Sequence, residues 1–223
     1  MGRASRLLLI IILLVITSVC ILNAYSNSVM TDISSNILRL HIVASSDSAE
    51  DQNLKLKVRD NIVTYTNKVL ADCENPEDAY IILNDNLSKL EEIANETIKK
   101  EGFDYYAEAN LGIYDFPTKD YGDIILPGGE YTSLRIVIGE GVGQNWWCVL
   151  FPPLCFINAN ASKVTDEGEQ KLKDSISDDS YSVIKKPYKG VKFRFKIVEV
   201  FESAKMRIQT SFKGFGKVFK YNK

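Results

Sequence analysis

The sequence predicts an α+β fold: a small, mainly antiparallel sheet with a helix pair packed on one face, an aromatic Cys/Pro loop, and a strand-then-helix C-terminal tail. Three observations lead there. Residues 37–45, ILRLHIVAS, alternate at the period of a strand. Two runs then place apolar residues every three or four positions, the period of a helix with one buried stripe. Two further alternating runs follow at 107–113 and 131–138. Strand, helix, helix, strand, strand is the order of helices layered on a small sheet.

In the first strand Leu38, Leu40 and Ile42 share one face, and Ile37, Arg39, His41 and Val43 share the other. Ser45, Ser46, Asp47 and Ser48 are turn and cap residues, and Asp47 with Glu50 has the spacing of a capping box. The helix so opened carries Leu54, Val58, Ile62, Tyr65 and Val69 as its stripe. Lys55, Lys57, Arg59 and Asp60 alternate in sign around it and read as a solvated face. The second helix has Asn75 as its cap, Pro76 in its first turn, and Glu77 and Asp78 against the positive end of its dipole. Leu83, Leu87, Leu90, Ala94 and Ile98 form its stripe, and Lys99, Lys100 and Gly102 mark its exit. The two helices are expected to lie antiparallel.

Residues 107–113 make a strand that stops before Phe116-Pro117; residues 126–129, LPGG, are a turn; Leu134, Ile136 and Ile138 share one face of the next strand. Residues 166–177 show a faint helical pattern, 185–190 read as a turn or linker, and 191–201 begin as a strand and pass into an amphipathic helix.

The N-terminus predicts export. Arg3 and Arg6 precede an almost unbroken aliphatic run at 7–22, and Ala24-Tyr25-Ser26 offers small residues where a signal peptidase reads. The run is short for a spanning helix, which favours a cleaved signal peptide over a retained anchor. The expected organisation is a signal peptide or anchor over 1–26, one α+β domain over 27–203, and a basic tail over 204–223. That tail has six basic residues and no acid, although the chain as a whole carries a net charge of −2. A basic end on an acidic body implies contact with a membrane surface or a protein, and no nucleic acid.

The densest feature is residues 145–156, NWWCVLFPPLCF, which hold both tryptophans and two of the four cysteines. The diproline argues for a stiff apolar loop, since each proline lacks a donor and fixes φ. In an oxidising compartment Cys148 and Cys155 would staple it, given Cα atoms within about 7 Å. Cys73 would then be a lone buried thiol. Asn145, Trp146, Trp147, Phe151 and Phe156 are the candidate partner-binding residues, because exposed tryptophans beside phenylalanines make a hot-spot patch. His41, Asp47 and Arg135 are polar candidates for a structural or functional role.

Catalytic and cofactor chemistry finds little support. Residues 139–143, GEGVG, follow a strand but lack the spacing of a dinucleotide fingerprint, and Glu140 would repel phosphate. They are expected to turn sharply so that 145–156 folds back. There is no Cys/His quartet for zinc, and Asp115, Asp120 and Asp123 lack calcium-loop spacing. The expectation is no catalytic set, no metal, no cofactor and no small-molecule substrate. The rival is an exported cysteine hydrolase with Cys148 as nucleophile and His41, the sole histidine, as base; a structural envelope protein that assembles through its tail is a third reading.

Residues 38–60, LRLHIVASSDSAEDQNLKLKVRD, with 116–131, FPTKDYGDIILPGGEY, and 134–156, LRIVIGEGVGQNWWCVLFPPLCF, resemble the stage II sporulation protein R family of endospore-forming bacteria. The likeness covers most of 38–156 and is loose beyond it. Ser45 stands where the family usually has asparagine, and Gly128 where it has alanine. The resemblance implies a signalling protein made in the forespore and exported to the space between the two forespore membranes. There it would activate a membrane-embedded aspartic protease that cleaves the mother-cell sigma-factor precursor, as a ligand and not a catalyst.

Overall fold

The apolar N-terminal run and the residues after it form one helix, α1 (Arg3–Asn36), with no proline to break it. It is long and apolar enough to cross a membrane. Residues 7–16 are exposed, whereas Ser26, Val29, Met30 and Ile33 are buried in the domain, so a single helix passes from one environment to the other. The computed structural model describes residues 2–154 and 166–186, together with Val200 and Ala204.

Behind α1 come β1 (Leu38–Val43), α2 (Ala49–Val69), α3 (Pro76–Asp85), α4 (Leu87–Lys100) and β2 (Ala107–Phe116). A two-residue hairpin, β3 (Lys119–Asp120) and β4 (Ile125–Leu126), leads to β5 (Gly129–Ile138), β6 (Asn145–Phe151), α5 (Asp166–Ser175) and α6 (Asp178–Ile184). The main sheet runs β2-β5-β1-β6. β2 and β6 pair antiparallel with their neighbours, and β1 and β5, joined through the helices, run parallel.

The α+β class holds, and so does the helix layer on one face. Leu38, Leu40, Ile42, Leu134, Ile136 and Ile138 meet Leu54, Val58 and Ile62 of α2, Leu83 of α3, and Leu90, Ala94 and Ile98 of α4 in one core. The expected second helix is two. Asn86 breaks it with φ −99° and ψ 8°, its side-chain amide donating to the Ile82 carbonyl at 2.8 Å. The other face of the sheet is also partly covered. Val29, Met30 and Ile33 of α1, Ile124, Leu126, Leu172, Val183 and Ile184 pack there on Ile37, Phe116, Tyr131 and Val149.

Two local expectations need correction. Ser48, not Asp47, caps α2: its side chain accepts from the Asp51 amide at 3.1 Å. Residues 145–151 are a strand and not a loop, because the diproline begins only after Phe151 and leaves the alternation of NWWCVLF intact. The expected strand and helix at 191–201 and the basic tail lie, but for Val200 and Ala204, outside the described residues.

Candidate functional site

The site begins with the turn that delivers β6. Gly139 and Gly141 have φ of +56° and +64°, conformations that favour glycine, and the chain reverses there as expected. Gly143 approaches the exit of β1 so closely that a Cβ would lie 2.2 Å from the Ser46 carbonyl oxygen. Its amide donates to the Ala44 carbonyl at 3.0 Å. Both peptide groups of Gln144 are then gripped: its amide donates to Asp47 Oδ1 at 2.7 Å, and its carbonyl accepts from Lys55 Nζ at 2.8 Å.

Lys55 is only 5% exposed, and burial lowers its pKa against the raising effect of Asp47. Asp51 anchors the same corner, accepting from Ser46 Oγ at 2.5 Å and from the Tyr105 hydroxyl. Those hydrogen bonds, Ser46's foremost, hold its carboxyl below the usual range. Asp47 is thus a structural residue of this corner.

Strand geometry then separates the two tryptophans. Successive side chains of β6 point to opposite faces, so Trp146 pairs with Ile42 and Cys148 with Leu40 on the helix side, while Asn145, Trp147 and Val149 pair with Val43, His41 and Arg39 on the other. Trp146 packs against the helix-side core with the Arg59 guanidinium 4.3 Å from its ring centroid. Trp147 stacks on His41, the centroids 3.8 Å apart and the planes 15° from parallel, with Phe116 edge-on at 4.7 Å.

His41 Nε2 lies 2.7 Å from Asn145 Oδ1, which places the proton of the neutral ring on Nε2. Burial first, then the nearby Arg135 and Arg39 charges, outweigh that hydrogen bond and lower the His41 pKa to about 4. The imidazole is therefore neutral at pH 7. Arg39, with no exposed surface, donates to the Tyr121 hydroxyl at 2.7 Å and sits 4.0 Å from the Phe116 centroid and 4.8 Å from that of Tyr131. Arg135 pairs directly with His41 across the parallel ladder.

The structure therefore gathers Asn145, Trp147, His41 and Arg135 on one face and puts Trp146 on the other. Phe151 is 5% exposed and belongs to the core, because it ends the strand with its ring against the helices, so it is removed from any surface patch. Cys155 and Phe156 lie outside the described residues, and the Cys148–Cys155 bridge remains an expectation. The hydrolase pair fails on geometry: Cys148 lies on the face of Leu40, and the sheet separates it from His41. Cys73 is a free thiol whose pKa is raised, mainly by burial.

Asp120 is bound by Lys186 Nζ at 2.7 Å, and among the described residues no group of His, Cys, Asp or Glu side chains would hold a metal ion. Lys55 and Arg59, read as solvated, are buried instead, each 5% exposed. The sequence alone assigns Arg39, Tyr121 and Phe116 no part in a site; the one signal for Arg39 is a permanent charge within a strand whose other residues are uncharged or apolar.

These features define a class: an α+β domain following directly on a membrane-length helix, with arginines, one imidazole and aromatic rings gathered on a sheet face. The family model of stage II sporulation protein R (spore_II_R) matches residues 34–161, and the chain belongs to that family. It is 40% identical over 134 residues to the stage II sporulation protein R of Bacillus subtilis (strain 168). The match covers 60% of this chain and spans 60% of that relative's length. No solved structure matches.

Proposed function

We propose that this protein is an extracytoplasmic sporulation signal that activates a membrane-embedded aspartic protease, so that the mother-cell sigma-factor precursor is processed. Membership of the stage II sporulation protein R family is the observation that carries the reading. The protein acts as a ligand, made in the forespore and delivered to the intermembrane space by its apolar N-terminal helix. A ligand of this kind works through higher affinity for the active arrangement of its target. The docking surface is the Asn145–Trp147 end of β6, where a half-buried indole on a rigid strand offers a preorganised anchor. Trp146 supports that strand from the opposite side. A Cys148–Cys155 bridge would restrain the segment after it, and the basic tail at 204–223 would add affinity for an anionic bilayer of about 1 kcal/mol per charge near the lipid.

The test is precursor cleavage in a host that makes only the precursor, the protease and this protein. Wild type is expected to support cleavage when the protease is present, and none when the protease is omitted. Absence of cleavage with all three present would overturn the reading; cleavage of the precursor by this protein with the protease omitted would overturn the non-catalytic role.

A further inference from the structure

Four strands place Asn110, Arg135, His41 and Trp147 side by side in one row on the sheet face away from α2 and α4. The next row toward α1 contains Gly112, Ser133, Arg39 and Val149, so the two arginines sit on neighbouring strands one row apart, about 7 Å along the strand direction. Past these rows the face is closed by Val29, Met30 and Ile33 of α1 and by the β3–β4 hairpin. On the other side it opens: Asn110 and Asn145 are exposed, and Arg135, Val137 and Trp147 are half-buried.

The charges here are unbalanced. Arg39 is wholly buried, yet Nε and Nη1 have no hydrogen-bond partner. Arg135 Nε is likewise buried without one, its guanidinium 5.3 Å from the Tyr114 ring centroid. Among the described residues no carboxylate forms an ion pair with either arginine, whereas Arg59, on the helix side, is paired with Asp60 at 2.6 Å. A guanidinium withdrawn from water without its hydrogen bonds is costly, and a carboxylate is the group whose geometry matches its fork.

We propose that this open end of the sheet face receives an aspartate or glutamate side chain of the protein partner, with Arg135 as the contacting residue and Arg39 as a fixed positive charge beneath it. The inference rests on the reading of this chain as a protein ligand and adds the chemistry of what it binds. The aromatic borders favour a side chain over a free inorganic anion: Tyr114 and Trp147 flank the arginine row and offer apolar contact to the methylenes of an acidic residue, which phosphate cannot use. Asn145, held by His41, borders the opening and would present its amide group to the adjoining backbone.

His41 is the only histidine, so one imidazole resonance reports on the site. The experiment uses the full chain in neutral-lipid nanodiscs, labelled at histidine, titrated with N-acetyl-glutamate amide against N-acetyl-glutamine amide and inorganic phosphate. The glutamate derivative is expected to shift the His41 resonance saturably and raise its titration midpoint, by up to about one unit, because a bound anion offsets the two arginine charges. Arg135→Gln should abolish the response, and Arg135→Lys, which keeps the charge and loses the fork, should weaken it several-fold; unfolding midpoints near that of wild type establish that both fold.

No saturable shift, an equal shift with the glutamine derivative, or an unchanged response in Arg135→Gln would overturn the site. A response to phosphate as large as that to glutamate would overturn the assignment to a protein side chain. The titration contains no protease, so its failure leaves the activator reading standing. A normal titration beside absent precursor cleavage by wild type would sink only the activator reading.

Discussion

His41 and Trp147, on neighbouring antiparallel strands, lie nearly parallel with ring centroids 3.8 Å apart. The stack explains why the sole histidine is structural in the resting protein: the ring is covered by an indole, tied to Asn145, and neutral. It also brings the half-buried indole into the field of Arg39 and Arg135.

The first prediction concerns acid. Burial lowers the His41 pKa in the folded protein to about 4 from its ordinary 6.5, so the unfolded chain binds more protons between those values. The contribution of the neutral ring is complete above about pH 6.5 and is lost as pH falls toward 4, with a slope no steeper than about 1.4 kcal/mol per pH unit. Urea unfolding of wild type and His41→Gln across this range is expected to differ in pH slope, wild type being steeper. Identical slopes would mean that the ring titrates normally.

The second concerns the corner that delivers β6. Asp47→Ala leaves the Gln144 amide without its acceptor and the buried Lys55 without its nearest counter-charge. A loss of about 2 kcal/mol is expected, together with a change in tryptophan emission as Trp146 and Trp147 loosen. Gly143→Ala should act on the same corner through the backbone, since its Cβ would meet the Ser46 carbonyl oxygen at 2.2 Å. Denaturant midpoints lowered in both variants check the argument; a neutral Gly143→Ala would show that the turn can move.

Much of this was legible in the sequence, for physical reasons. The stripe of α2 and the alternation of β1 and β5 are enforced by burial of one face, and Asn75-Pro76 states a helix start by capping chemistry alone. Residues 145–151 were harder. The diproline signals a loop more strongly than the short run before it signals a strand, and adjacent tryptophans look like one patch in sequence although a strand sends them to opposite faces. Buried Lys55 and Arg59 were illegible because amphiphilic side chains look the same in sequence whether their stems lie on a core or in water. The break at Asn86 escaped for a similar reason: the apolar stripe stays in phase across it.

The third prediction follows from α1 serving two environments. Residues 7–16 are exposed, whereas Val29, Met30 and Ile33 fill the core behind Tyr131 and Phe116. A chain without residues 1–22 should therefore keep the unfolding midpoint of the full chain measured in detergent. Removal of 1–36 should strip that core and expose the lower sheet face, and Ile33→Ala alone should cost about 3 kcal/mol. Equal stability of both truncations would mean that α1 is a leader throughout.

The last prediction separates the two tryptophans by what each touches. Trp146 lies on the helix side beneath Arg59, so Trp146→Ala opens a void beside α2 and removes a cation–π contact. Its expected effect is on stability, about 3 kcal/mol, with precursor cleavage falling only as far as the folded fraction falls. Trp147 borders the open end of the opposite face, where Trp147→Leu preserves apolar volume against Phe116 but loses the flat indole surface. That variant is expected to unfold near the wild-type midpoint and to lose at least about ten-fold in activation, the scale of one hot-spot residue. Measured together, unfolding midpoint and precursor cleavage should place the two variants on different axes. If Trp146→Ala abolishes cleavage while fully folded and Trp147→Leu does not, the protease is contacted from the helix side of β6, and the docking face assigned above is the wrong one.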